Sequence, residues 1–216
     1  MRTIDVISDA ICPWCWIGRA HMVAALAELA DKGMNFQVRW RPFQLNPDMP
    51  ETGVPRAAYR EAKFGSAERS AELDAQVAAA GRAAGLEFRF ERMARTPNTL
   101  GAHRTLRMAG ETGVQDAVAD ALFRAYFHDG QDIGDPAVLD QVAAGAGLPG
   151  VAAMLASNAH RAEVLAEDLS ARRAGISGVP SFLMDRHLLF SGAMPAAQMA
   201  DAFRRADAIL AAREAA

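Results

Sequence analysis

The sequence predicts an α/β fold: a mixed central sheet built from a β-α-β half and a β-β-α half, with a large α-helical insertion between them. Three observations predict it. Apolar runs with strand character lie near both ends, at Ile4–Ile7, Phe36–Trp40, Phe182–Met184 and Leu188–Phe190. From about Met49 to Ala174 the pattern is almost wholly helical and punctuated by caps. Between the first strand run and the first helical run stands Cys12-Pro13-Trp14-Cys15. Residues 1–50 and 175–216 thus form the sheet domain, and residues 51–174 an inserted helical domain with no internal repeat.

Thr3–Ser8 reads as a buried strand, and a helix follows through about Ala30, ended by Gly33. Phe36-Gln37-Val38-Arg39-Trp40 alternates with the period of a strand that buries one face, and Pro42 marks a sheet edge. Pro55 opens a short helix (Arg56–Phe64) closed by Gly65; Ser66 caps a longer one that ends at Gly85. Leu86–Phe90 alternates as an extended connector. Asn98 is the predicted N-cap of a helix to about Met108, and Val118, Leu122, Ala125 and Tyr126 form the stripe of another over Asp116–Phe127. Asp135-Pro136 caps a helix that stops near Gly145, a short segment follows Pro149, and Ser157 or Asn158 starts the last inserted helix. Phe182–Met184 and Leu188–Phe190, joined by Asp185-Arg186, read as a hairpin. Pro195 opens a final helix with Met199, Phe203 and Leu210 inward.

A net charge of -3 argues against a broad nucleic-acid or anionic-membrane surface. No run of about 18 apolar residues suggests a membrane span. The N-terminal residues show no signal-peptide h-region, so the cytoplasm is the expected compartment.

The chain has 2 cysteines, and both belong to the Cys-x-x-Cys motif. Pro13 suits a first helical position, which puts Cys12 beside the free amide groups and positive end of the helix, a setting that favours thiolate. Cys15 follows about one turn later, within reach of a mixed disulfide on Cys12. Three other readings compete. A structural zinc site needs about four ligands, and the histidines offer no closely spaced pair. A structural disulfide this short would brace almost nothing. Two inert core thiols sit poorly with a strand-to-helix turn. Thiol–disulfide chemistry is the preferred reading, with no metal required.

The carrying motifs are Asp9-Ala10-Ile11-Cys12-Pro13-Trp14-Cys15-Trp16-Ile17-Gly18, Arg41-Pro42-Phe43-Gln44-Leu45-Asn46-Pro47, Pro97-Asn98-Thr99 with Ala102-His103-Arg104, and Gly178-Val179-Pro180-Ser181-Phe182. Together they resemble the DsbA-like oxidoreductases of the thioredoxin fold, closest to the FrnE-like subgroup, over nearly the whole chain. The resemblance implies a cis bond at Val179-Pro180, with Pro180 facing the cysteines and the Val179 backbone pairing with substrate. From the residues alone, an ordinary Gly-x-Pro turn stands equal to it. Pro13 and Trp14 join the implied substrate-binding set. Asn98 and His103 are most simply a cap and a helix residue; the resemblance adds substrate binding or proton shuttling. Trp16, Trp40 and Phe43 read as core or rim packing.

Two departures stand out. Val6 occupies the position where thioredoxin-like enzymes often carry a buried acid, leaving Asp9 or an ordered water to substitute. Trp14 stands where strong oxidases carry a histidine, so a less oxidising couple is expected. The expected activity is protein-disulfide oxidoreductase or isomerase, acting on protein, peptide or small-thiol substrates. It needs no cofactor beyond glutathione as a co-substrate, in a monomer or homodimer. Two alternatives remain: a glutathione-dependent isomerase resembling the 2-hydroxychromene-2-carboxylate isomerases, and a peptide-binding, chaperone-like protein.

Overall fold

Backbone hydrogen-bonding capacity near the N-terminus is spent on the centre of a sheet. The computed structural model describes residues 1–215. Strand β1 (Arg2–Ser8) leads into helix α1 (Pro13–Ala30), and β2 (Phe36–Pro42) returns parallel to β1. A two-residue strand, β3 (Val54–Pro55), precedes α2 (Arg56–Phe64) and α3 (Ala67–Ala83). After a 3-10 turn (Phe90–Arg92) and β4 (Arg95–Thr96) come α4 (Leu100–Thr112), α5 (Gln115–Phe127), α6 (Pro136–Gly145), α7 (Val151–Ala156) and α8 (Arg161–Arg173). The chain closes with β5 (Ser181–Met184), β6 (His187–Ser191) and α9 (Ala196–Glu214). The main sheet runs β2-β1-β5-β6; β5 is antiparallel to both β1 and β6. This is the mixed sheet expected from the sequence.

Local chemistry explains most boundaries. Gly65 adopts φ 92° and closes α2, a conformation glycine reaches without penalty. Ser66 accepts the Arg69 N–H and starts α3, while Asp135 accepts the Ala137 N–H ahead of Pro136. The hairpin turns on Asp185 and Arg186, both at positive φ.

Three boundaries differ from expectation. Thr99, not Asn98, is the N-cap of α4. The Asn98 side chain instead accepts the Leu100 N–H and donates to the Met49 carbonyl, bracing two loops at once. Helix α4 runs on to Thr112, because Gly113 supplies the left-handed terminator. Ser157 ends α7, where its hydroxyl donates to Met154 O, and α8 begins only at Arg161. The two-residue ladder of β3 and β4 was too short to leave a periodic signal.

Both sheet faces are covered. Ile4, Val6, Phe182 and Met184 pack with α1 and α9, whose Met199 and Phe203 are fully buried. Ile7, Phe43 and Ile176 form a smaller cluster on the opposite face, flanked by Ala171 of α8. The larger apolar cluster is continuous with the inserted helices. Trp16 stacks on Phe127 at 5.9 Å, and Trp40 meets Phe123 edge-on at 5.9 Å. Such pairs add about 0.5–1.5 kcal/mol each beyond area burial. Arg19 of α1 reinforces the seam by pairing with Asp116 and Asp120 of α5. Helix α1 is therefore clamped between the sheet and the helices that follow β2. Arg104, inside the Ala102-His103-Arg104 motif, is buried and donates to the carbonyls of Met154, Ser157 and Ala159, so its role is to close the end of α7.

Candidate active site

The strand-to-helix turn is built as the residues dictate. Cys12 is the N-cap of α1 with extended backbone (φ -91°), Pro13 takes the first helical position, and the Cys12 N–H donates to Asp9 O at 3.0 Å. Cys15 returns an N–H to Cys12 O at 3.0 Å, which tightens the first turn and stacks the two cysteines. Both are free thiols, Cys12 nearly buried and Cys15 completely so. Burial pushes the Cys15 thiol well above its ordinary value, and the neighbouring Cys12 adds to the effect. The Ser8 hydroxyl and Asp9 N–H oppose it.

The Val179–Pro180 peptide is cis, and the Cys12 thiol donates to Val179 O at 3.5 Å. Gly18, one turn beyond Cys15, makes this approach possible: a Cβ there would stand 3.0 Å from Pro180 Cγ. On the far side Pro180 O accepts the Gly192 N–H, fixing the loop to the end of β6.

Cys12, Pro13, Trp14 and Val179 line one cavity of about 350 Å³. Trp14 is 42% exposed at its rim. Apolar walls come from Ile11, Val77, Phe90 and Met93. Asn98 and His103 do not line it. His103 lies instead behind the motif, buried, with Nε2 3.4 Å from Asp9 Oδ1. Val6 is fully buried and apolar, so the usual acid position is indeed without a carboxyl. Trp16, Trp40 and Phe43 are core residues and give the cavity no surface.

One group escaped sequence reasoning. Arg56, Arg60 and Lys63 also line the cavity, facing one acid, Asp74, which pairs with both arginines at 2.6 Å. Their spacing of four and three residues on α2 was the available signal, since it places all three on one helix face. Lys63 bonds only the Tyr59 hydroxyl and has no carboxylate partner among the described residues. The cavity is therefore electropositive above an apolar floor. Among the described residues no group of three or more His, Cys, Asp and Glu side chains is arranged to hold a metal ion.

A family model described as a DSBA-like thioredoxin domain matches residues 3–204. The chain belongs to the DsbA-like thioredoxin family. A probable DsbA oxidoreductase from Streptomyces coelicolor is 33% identical with a TM-score of 0.86, over 95% of this chain and 90% of that one. The uncharacterized protein YwbO of Bacillus subtilis is 26% identical over 94% of both chains. The cytosolic disulfide reductase DsbM of Pseudomonas aeruginosa, solved with GSH, shares the fold at 22% identity and a TM-score of 0.62, covering 86% of this chain and 87% of that one. This DsbA-like chain is thus a thioredoxin-fold oxidoreductase carrying a Cys-x-x-Cys pair at the strand-to-helix turn. None of its described helices is long and apolar enough to cross a membrane.

Proposed function

We propose that Cys12 and Cys15 exchange disulfides with peptide or small-thiol substrates that enter the cavity above Cys12. The observation that carries this reading is the placement of Cys12 on the cavity wall with Cys15 buried one turn behind it. Cys12 as thiolate attacks a substrate disulfide, and one substrate thiol leaves. Cys15 then attacks the Cys12 sulfur, the second thiol departs, and the protein dithiol has given two electrons to the substrate. The reverse sequence oxidises a substrate dithiol. Val179 and Pro180 support the substrate chain beside the sulfur, and Pro13 and Trp14 shape the mouth.

Glutathione fits as co-substrate, because its two carboxylates suit the Arg56, Arg60 and Lys63 face while its thiol meets Cys12. A cytoplasmic setting belongs to the same reading, since both cysteines serve the exchange pair and none is left for a structural bridge. The test is equilibration in glutathione redox buffers, with alkylation and mass spectrometry of wild type and Cys12→Ala. Wild type should interconvert reversibly between dithiol and disulfide and catalyse insulin reduction; Cys12→Ala should do neither. A wild type that never forms the Cys12–Cys15 disulfide would sink the reading. Retained turnover in Cys15→Ser would transfer the chain to the glutathione-dependent isomerase class.

A further inference from the structure

Helix α1 meets the Val179–Pro180 loop and its backing at successive turns. At the mouth of the helix the Cys12 thiol reaches Val179 O at 3.5 Å. One turn beyond Cys15, Gly18 lies against the Pro180 ring. Three residues further, on the same face of the helix, His21 Nδ1 stands 2.9 Å from Met194 O. A carbonyl oxygen only accepts, so Nδ1 carries the hydrogen and His21 is the donor. The exchange described above gives this histidine no part.

Its acceptor gives it one. Met194 belongs to the segment between β6 and α9, and that segment backs the proline loop. The Met194 N–H donates to Gly192 O at 3.1 Å, closing a three-residue turn, and the Gly192 N–H donates to Pro180 O at 2.8 Å. Gly192 holds φ 93° there, a conformation open to glycine. A short path of hydrogen bonds thus joins the His21 imidazole to Pro180, and Val179 beside it lines the Cys12 groove. On the strand side the loop is fixed by Ser181, whose hydroxyl meets Gly178 O at 2.9 Å and Ser191 Oγ at 2.6 Å. On the helix side, among the described residues, His21 makes the one side-chain hydrogen bond from α1 to the segment between β6 and α9.

We propose that His21 is a positioning residue: it holds the backing of the Val179–Pro180 loop against α1 and so favours extended peptide disulfides over small ones. The inference rests on the exchange reading above. An extended chain beside Cys12 binds through backbone hydrogen bonds, whose strength falls steeply once donor and acceptor lose alignment. A loop freed from α1 at Met194 presents the Val179 backbone in a spread of positions, and each peptide must select the competent one. A small disulfide needs only the Cys12 sulfur. Nδ1 donates both in the imidazolium and in the neutral tautomer that this contact selects, so the anchor serves in either charge state.

The test is stopped-flow reaction of the reduced protein with two mixed disulfides of 5-thio-2-nitrobenzoate, one on the cysteine of a short unstructured peptide and one on 2-mercaptoethanol. In both, the Cys12 thiolate bonds to the probe sulfur, the probe S–S bond breaks, and the coloured thionitrobenzoate leaves with the electron pair. His21→Leu should raise the half-saturating concentration of the peptide probe by about fivefold, with the limiting rate held within about twofold. The 2-mercaptoethanol probe should change by less than about twofold in the same variant. His21→Asn, which keeps an N–H donor near the Nδ1 position, should restore the peptide value. An unaltered peptide probe in His21→Leu overturns the inference. Equal change with both probes overturns it too, because His21 then only braces the helix, and so does a wild type that does not prefer the peptide. If His21→Leu fails to fold, His21→Ala adds no bulk at this half-buried position and decides by the same ratio of probes. A wild type that releases thionitrobenzoate from neither probe would instead remove the exchange reading.

Discussion

The Cys12 thiol and the Val179 carbonyl oxygen are 3.5 Å apart, and the thiol is the donor. The contact joins the mouth of α1 to a loop that Pro180 O anchors on Gly192. Under the proposed exchange, a Cys12 thiolate would no longer donate to Val179 O, which would leave this carbonyl free to accept a substrate N–H.

Cys15→Ser keeps that contact but removes the resolving thiol. The variant should accumulate a covalent adduct with glutathione disulfide or a peptide disulfide, visible by intact mass and reversed by dithiothreitol. Steady-state turnover should fall by at least about 100-fold, in the range lost when a nucleophilic partner is deleted. Cys12→Ser should form no adduct at all. Adduct formation in Cys12→Ser would reverse the assigned roles.

Burial raises the Cys15 thiol well above its ordinary value of 9.0, so the folded reduced chain keeps this proton after the unfolded chain has released it. The resulting stability is present in full below the unfolded value and is lost as pH rises toward the folded one. Urea midpoints of the reduced protein should fall from about pH 8.5 upward, by at most ~1.4 kcal/mol per pH unit from this group. Cys15→Ala should flatten that slope. Tyr126, raised for the same reason, adds a second loss starting near its unfolded value of about pH 10 that Cys15→Ala leaves in place.

Gly18 lets Pro180 rest on α1. A Cβ would meet Pro180 Cγ at 3.0 Å and Phe182 Cζ at 3.5 Å, and a proline ring has little freedom to yield. Gly18→Val should cost about 1–3 kcal/mol through overpacking, and should slow reaction of Cys12 with disulfides as the Val179–Pro180 loop is displaced. Thermal melts together with the rate at which Cys12 reacts with a small disulfide provide the check; unchanged values for both would mean the loop accommodates the side chain.

Lys63 is the cation of the groove without a carboxylate partner among the described residues, and α2 holds it on the face shared with Arg56 and Arg60. Lys63→Glu should raise KM for glutathione disulfide by about fivefold, the equivalent of ~1 kcal/mol for reversing a surface charge, with kcat unchanged. KM for the uncharged hydroxyethyl disulfide should not move. An equal rise for both substrates would point to altered packing of α2 rather than charge recognition.

Much of the fold is local and so legible along the chain. Pro13, Ser66, Asp135, Gly65 and the turn pair Asp185-Arg186 act on their immediate neighbours, and each does in the structure what its type suggests. The misread positions depend on distant partners. Asn98 has the residue type of a cap, but Met49 draws its amide across the loop and Thr99 takes the cap. Ser157 and Asn158 look like helix starts, yet Ser157 is occupied in closing α7.

The sequence alone was enough to order the strands and helices and to put two sulfurs at a helix mouth, because strand period, capping and Cys-x-x-Cys spacing act over a few residues. Tertiary structure alone decided which side chains meet those sulfurs. It carried α2 over Cys12 to make the groove electropositive, and brought His103 from α4 against Asp9. Both encounters join residues tens of positions apart, and what selects them is the burial of a common apolar core, which no local pattern encodes.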